Sequence, residues 1–343
     1  MRKVECDLSE GYTIAFAKND DISEIMKFIR NHWKQSHIFA LNEDFFRYEF
    51  VRDDVVNFVL LKNKESEICG ILGFIPYQEK THRDMFTVMW KVINSDNLFS
   101  GVALLEYLLE NGECRHIFSS GLNKGTVSIY KYLGFKVGKL EHYYRLNNLD
   151  EYHIARIRNK NILASVSADM NCEFRLCDSK EIQYAQIKMD RVPFKSREFI
   201  LHRYFEHPIY QYRCYEIVLN HSETGCFLFA REERVGESKV LRIVDYIGDI
   251  ALWRYFSGPV RKILEEGNYE YIDCYQTGID RQLMNKAGFT MKEVDDTNII
   301  PNYFSPFEQK NIEIYYFCEK NVSPVIFKGD GDQDRPSDMG DKK

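Results

Sequence analysis

Two stretches, IYKYLGFKVG at 129–138 and LMNKAGFTMK at 283–292, decide the fold. Each reads as a short helix stopped by glycine and followed by a strand. Their Gly-Phe pairs, at 134–135 and 288–289, lie 154 residues apart. Working outward, the strand pattern MFTVMWKVIN at 85–94 returns as VLRIVDYIGD at 240–249, and CRHIFSSGLN at 114–123 returns as YEYIDCYQTG at 269–278, each 155 residues on. Three matched offsets imply one α/β unit of about 150 residues present twice in tandem.

The order within the first unit is a strand (YTIAFAK), a helix opened by an Asp cap (DISEIMKFIRNHWKQS), a second helix (EDFFRYEFV) and three strands joined by short polar turns, an antiparallel meander. Then come a helix (GVALLEYLLEN), a strand (HIFSSGL), the helix of the Gly-Phe element and a strand (KLEHYYRLN). The fold class is α/β with a mixed sheet. Residues 1–150 form the first unit, 151–171 a connector, 172–325 the second unit and 326–343 an acidic C-terminal segment.

Composition narrows the function classes. The 343 residues carry a net charge of −6, against a general nucleic-acid surface, which needs a Lys/Arg excess. No apolar run approaches the ~18 residues of a membrane span, and the N-terminus lacks the apolar core of a signal peptide. Nine scattered cysteines without a CxxC pair suit reduced thiols in a cytoplasm.

The segment NKGTVSIYKYLGF, 123–135, resembles the N-x-x-A-x-x-x-Y-x-x-x-G-F element of the GCN5-related N-acetyltransferase (GNAT) superfamily, with Asn123, Tyr130, Gly134 and Phe135 at its hallmark positions. The superfamily's CoA loop, [QR]-x-x-G-x-[GA], is matched by LFSGVA, 98–103, at Gly101 and Ala103, but Leu98 replaces the Gln or Arg. The second unit, with IGDIALWRYFSG, has no such loop. Three longer blocks, FIRNHWKQSHIFALNEDFFRYEF, IPNYFSPFEQKN and DGDQDRP, resemble tandem GNAT proteins of bacterial surface-polysaccharide pathways.

That resemblance implies acyl-CoA as co-substrate in the first unit. It implies as acceptor the amine of a nucleotide-linked amino-deoxy sugar, such as a dTDP-3-amino-3,6-dideoxyhexose. Two rivals are a Fem-like transferase using aminoacyl-tRNA and a catalytically silent carbohydrate-binding scaffold that has lost its CoA site.

The chemistry selects residues. A pyrophosphate needs backbone N–H groups at a helix start, which Ser100, Gly101, Val102 and Ala103 offer, although Ser-Gly also serves simple capping. By resemblance, a backbone N–H within Val92, Ile93 and Asn94 faces the thioester oxygen, and Asn123 belongs to the cofactor side. Tyr130 stands where GNAT enzymes keep a general acid, and it fits a core aromatic equally well. The strand before the CoA loop has no Glu, so His37 is the candidate base; a structural His or a water chain remains open. If the helix continues, His37 shares a side with Trp33, a candidate acceptor contact.

Asp245 and Asp273 interrupt apolar strands, so each needs a partner or a cleft: a sugar ligand or a hydrogen bond to a neighbouring loop. In DGDQDRP, Asp330, Asp332 and Asp334, with Asp341 beyond it, follow EF-hand spacing, but Arg335 stands where the loop needs glycine and Pro336 follows. We expect no metal there, with Asp332 and Arg335 instead on the acceptor's hydroxyls and phosphate.

Overall fold

The architecture is that of a computed structural model describing residues 11–79, 81–93, 99–163, 170–189, 191–293 and 296–336. In chain order the first elements are β1 (Thr13–Ala17), α1 (Ile22–His32), α2 (Ile38–Leu41), α3 (Glu43–Phe50), β2 (Val51–Arg52), β3 (Val55–Lys62), β4 (Ile68–Pro76) and β5 (Arg83–Val92). They are followed by α4 (Ser100–Asn111), β6 (Cys114–Leu122), α5 (Val127–Tyr132), β7 (Lys136–Lys139) and β8 (Glu141–Leu146). The later elements are β9 (Cys172–Cys177), α6 (Ser179–Tyr184), α7 (Arg197–Phe205), β10 (Tyr212–Leu219), β11 (Ser222–Val235), β12 (Ser238–Ile247), α8 (Ser257–Glu266), β13 (Tyr271–Thr277), α9 (Arg281–Lys286) and β14 (Thr290–Met291). The short strands β15 (Tyr303–Phe304), β16 (Phe307–Glu308), β17 (Tyr315–Cys318) and β18 (Ile326–Phe327) complete the chain.

Two compact units result. The first holds residues 1–138, 315–322 and 331–343; the second holds 139–314 and 323–330. Each has an eight-stranded mixed sheet, ordered β1-β3-β4-β5-β6-β17-β7 with β2 on β3 in the first, and β14-β8-β13-β12-β11-β10-β9 with β18 on β13 in the second. No helix among the described residues is long and apolar enough to cross a membrane.

In the first unit the expected meander is present, since β3 pairs antiparallel with β4 and β4 with β5. Helix α4 then returns the chain so that β6 runs parallel to β5. One face of this sheet packs Val59, Leu72, Met85 and Ile117 on Val102, Leu105 and Leu108 of α4. The alternate residues turn to the other face, where Phe58 meets Phe46 and Phe50 of α3, and Phe86 stacks on Phe118. Helix α1 buries Ile22, Ile25, Phe28 and Ile29 at helical spacing. Its expected cap differs: Asp21 makes no cap bond, accepting from Lys18 N–H at 2.8 Å and from Lys62 Nζ at 2.5 Å.

In the second unit β10, β11 and β12 form the antiparallel meander, and β13 lies parallel to β12 beyond α8. The strand at 141–146, read with the first half of the sequence, pairs instead with β13 in this sheet. Correspondingly β17, far along the chain, pairs with β6 in the first sheet. Alternation of side chains identifies a strand but carries no information about its neighbour.

Candidate acyl-transfer site

Parallel pairing of β5 and β6 runs only from Arg83–Cys114 to Phe86–Phe118. There the strands part, and side chains bridge the start of the gap: Ser119 Oγ donates to Thr87 O at 2.8 Å and Thr87 Oγ1 to Phe118 O at 3.3 Å. Just past this point β5 carries one residue more than β4, which pairs Gly73 with Val88 and Ile71 with Lys91. The extra residue makes a bulge in which Met89 adopts a φ of 47°. The extra residue of a bulge is left out of the ladder pairing.

The N-terminus of α4 stands beside this bulge. Trp90 Nε1 donates to Gly101 O at 3.1 Å, and the Trp90 ring lies 5.7 Å from that of Tyr130. Trp90, which sequence reasoning passed over as one more strand aromatic, therefore links the bulge, the helix start and the α5 tyrosine. Of the proposed pyrophosphate donors, Ser100, Val102 and Ala103 are buried, and the N–H groups of Val102 and Ala103 donate to Phe99 O at 2.8 and 3.0 Å. Gly101 has room: an added Cβ would meet nothing nearer than Trp90 Nε1 at 3.5 Å.

The other cofactor-side residues fall as follows. Val92 pairs with Gly70 in the ladder, and Ile93 N–H donates to Cys69 O at 2.8 Å, so that donor is taken. Asn94 and Leu98 lie outside the described residues. Asn123 caps the turn into α5, accepting from Gly125 N–H at 2.9 Å. Tyr130 is buried against Phe317, 4.9 Å between rings. Burial raises its pKa despite a hydrogen bond with the Thr126 side chain, so it keeps its proton at neutral pH.

On the opposite face of the same sheet lie residues 331–333. Gly331 N–H donates to the Tyr77 hydroxyl at 3.0 Å, and Tyr77 stacks on Phe86 at 5.3 Å. A Cβ on Gly331 would sit 2.9 Å from Phe86, and one on Gly121 would run into the Gln333 side chain, so residues 331–333 lie directly on β5 and β6 where they part. Asp332 and Asp334 are buried there. Arg335 turns back, donating to Asp332 O at 2.9 Å and meeting His37 Nε2 at 2.9 Å. Two residues 298 positions apart, singled out separately from the sequence, are thus in contact. Trp33 is not with them. Helix α1 ends at His32, so it does not carry Trp33 and His37 on one side; Trp33 is exposed while His37 is buried as the cap of α2.

The second unit treats the corresponding gap differently. Parallel pairing of β12 and β13 ends at Ile243–Cys274. Residues 326–329 occupy the opening: β18 pairs with Gln276 and Thr277, Lys328 N–H donates to Tyr275 O at 3.1 Å, and Gly329 N–H donates to Val244 O at 2.7 Å. A Cβ on Gly329 would stand 2.6 Å from Val244 O, which explains glycine at this point.

Both strand aspartates of this unit have internal partners. Asp245 accepts from Lys195 Nζ at 2.6 Å, from the Tyr204 hydroxyl at 2.7 Å and from Tyr246 N–H at 2.8 Å. The same Lys195 Nζ lies 2.7 Å from Asp330, the first aspartate of the EF-hand-like run. Asp273 takes a bidentate bond from Arg242, at 3.0 and 2.7 Å, and a contact from His142 Nε2 at 2.9 Å. Burial would raise the Asp273 pKa, but Arg242 and His142 hold it down to about 2. Of the two readings open for each aspartate, the internal partner is the one the structure provides. Among the described residues no group of three His, Cys, Asp or Glu is placed to hold a metal ion.

Solved structures share this architecture. A conserved Enterococcus faecalis V583 protein described as a probable N-acyltransferase is 9% identical, with 90% of this chain and 71% of that one covered at a TM-score of 0.54. The two chains share a fold. A putative acetyltransferase from Pyrococcus horikoshii (12% identity, 94% of each chain, TM-score 0.45) and Saccharomyces cerevisiae N-myristoyltransferase with bound myristoyl-CoA (8% identity, 94% and 82% covered, TM-score 0.46) also match. No family model and no curated protein matches this sequence.

Proposed function

We propose that the chain is an acyl-CoA-dependent N-acyltransferase whose acceptor is the amine of a nucleotide-linked amino-deoxy sugar of bacterial surface-polysaccharide synthesis. The observation that carries the acyl-CoA assignment is the contrast between the two partings. That of β12 and β13 is filled by residues 326–329. That of β5 and β6 has a helix N-terminus and a bulge at its mouth.

In this reading the pantetheine arm enters between β5 and β6, and the pyrophosphate lies at the Ser100–Gly101 end of α4, where the positive end of the helix dipole faces it. The bulge at Met89 and Trp90 aims a backbone donor at the thioester oxygen, replacing Ile93, whose N–H is already committed. One such fixed donor contributes about 3 kcal/mol. The amine nitrogen attacks the thioester carbon, the C–S bond breaks, Tyr130 returns a proton to the thiolate, and His37 takes the proton lost by the amine. The acceptor lies on the face that carries His37, Asp332 and Arg335. A mass-spectrometric screen of nucleotide-linked amino sugars with several acyl-CoAs tests the reading; one acylated sugar product is expected. Transfer only from aminoacyl-tRNA, or no product with CoA bound, would replace it.

A further inference from the structure

Strands β9 and β10 of the second unit set two cysteines opposite each other. β9 is the last strand of its sheet, and its ladder with β10 runs without a shift from Cys172–Leu219 to Cys177–Cys214. Arg175 of β9 pins this register, paired with Glu216 directly across from it and with Glu223. Directly opposed residues project to one face with Cα atoms about 4.5–5.5 Å apart, inside the span of roughly 4.4–6.8 Å that a disulfide bridges. A slip of one residue would send Cys177 to the other face. The two Sγ atoms lie 3.0 Å apart, and both cysteines are reduced.

The pair is unequal. Cys214 is buried in one core cluster with Ile182 of α6 and with Ile200 and Tyr204 of α7, whereas Cys177 is half-buried and packs against that cluster from outside. Burial, and then the bond with Cys177, raises the Cys214 pKa, so its thiol keeps its proton. A reagent from solution therefore meets Cys177 first. Between the two cysteines the chain runs through α6, α7 and Lys195, the cation held between Asp245 and Asp330.

We propose that Cys177 and Cys214 are a reversible redox couple that takes a low-molecular-weight disulfide such as oxidised glutathione, with Cys177 as the entry thiol and the closed bond stapling the edge strand β9 to β10. Cys177 loses its proton to solvent, and its thiolate attacks one sulfur of the reagent. The S–S bond of the reagent breaks, and one glutathione leaves as a thiolate that takes a proton back from solvent. Cys214, held beside the mixed disulfide by the ladder, then attacks the Cys177 sulfur, and its proton goes to the second departing glutathione. Two protein thiols have lost two hydrogens and two electrons, and one glutathione disulfide has become two thiols. The new bond closes a loop over residues 178–213, so the unfolded chain loses freedom while the native ladder is already in register. An excess of thiol drives the exchange back to the dithiol.

The test treats folded full-length protein at neutral pH with oxidised glutathione and maps its peptides by mass spectrometry at acid pH without reduction. Wild type should yield the peptides of Cys177 and Cys214 joined, lighter by two hydrogens than their sum, and dithiothreitol should restore both thiols. Cys214→Ser should stop as a glutathione adduct on Cys177, and Cys177→Ser should leave Cys214 unmodified. Oxidised wild type should melt at least about 5 °C above the reduced protein, and Cys177→Ser should show no such shift. Both thiols still free, or a glutathione adduct that persists on Cys177 in wild type, overturns the couple. An adduct on Cys214 in Cys177→Ser overturns the order of entry. Equal melting temperatures for cross-linked and reduced wild type overturn the staple. The wild-type map reads the bond whether or not either serine variant folds.

Discussion

Replacing Lys195 by methionine should be among the most damaging single changes in the second unit. The ammonium is 2.6 Å from Asp245 and 2.7 Å from Asp330, with side-chain exposures of 5%, 1% and 1%. Lys195 serves both carboxylates, which also accept bonds from Tyr204 and from the N–H groups of Tyr246 and Phe327. Removing one partner of a buried ion pair costs about 3–5 kcal/mol because the remaining charge stays buried. For a unit of this size, at roughly 2–4 °C per kcal/mol, Tm should fall by about 6–20 °C.

Burial and then the Asp245 charge raise the Asp330 pKa even with Lys195 present. A carboxylate whose folded pKa is raised contributes stability below its unfolded pKa, about 3.9, and loses it as pH rises through the folded value. Without Lys195 this effect grows, so the variant's deficit should be largest near neutral pH and shrink toward pH 4. Adding Asp330→Asn should recover part of the loss, with a coupling of at least about 1 kcal/mol in a double-mutant cycle. Urea melts of the four proteins at pH 7 and pH 4.5 measure this. A cost under about 1 kcal/mol for Lys195→Met, or strict additivity, would refute the reasoning.

Further expectations follow from the same geometry. Asp273→Asn leaves Arg242 buried without its counter-charge and should cost about 3–5 kcal/mol by urea melt. Because the wild-type carboxyl is held down to about 2, its contribution is present above pH ~4 and lost between there and about 2, and the variant's melting profile should lack that step. Acyl-CoA binding should change tryptophan emission through Trp90, and Trp90→Phe should abolish the change; an unaltered signal in the variant places the ligand elsewhere. His37→Ala should lower kcat about 10²-fold with the nucleotide sugar, and an unchanged kcat would remove it from the chemistry. A chain stopped after Asp330 keeps the Lys195 anchor; its KM for the sugar nucleotide should rise far more than its KM for acyl-CoA.

Much of the fold was legible because its signals are local. The meander strands are apolar runs broken by turns, and the Gly-Phe elements after α5 and α9 punctuate helices with glycines at φ of 94° and 85°. The exchange of β8 and β17 was not legible, since KLEHYYRLN alternates equally well beside either parallel pair. Helix α1 was read too long: NHWKQS has no breaker, but the buried stripe ends at Ile29 and a new cap, His37, begins α2. Burial of Asp245 and Asp273 did announce partners, as the cost of an unpaired charge in a strand requires. Their identities, Lys195 in a loop 50 residues upstream and Arg242 one strand over, are tertiary facts that no spacing encodes. Arg335 and His37 were each chosen for their chemistry, and only the fold shows them in contact.

The central claim is that acyl-CoA enters the first unit beside the start of α4, and calorimetry of acetyl-CoA with wild type and Gly101→Glu tests it most directly. The substitution is sterically mild, its Cβ meeting Trp90 Nε1 at 3.5 Å, so its effect reports the added charge and bulk where the pyrophosphate should lie. The account predicts one acetyl-CoA per chain for wild type and affinity lost by at least about tenfold, some 1.4 kcal/mol, in the variant with its melting temperature retained. Equal affinity in the two proteins, or two acetyl-CoA molecules per wild-type chain, would contradict it.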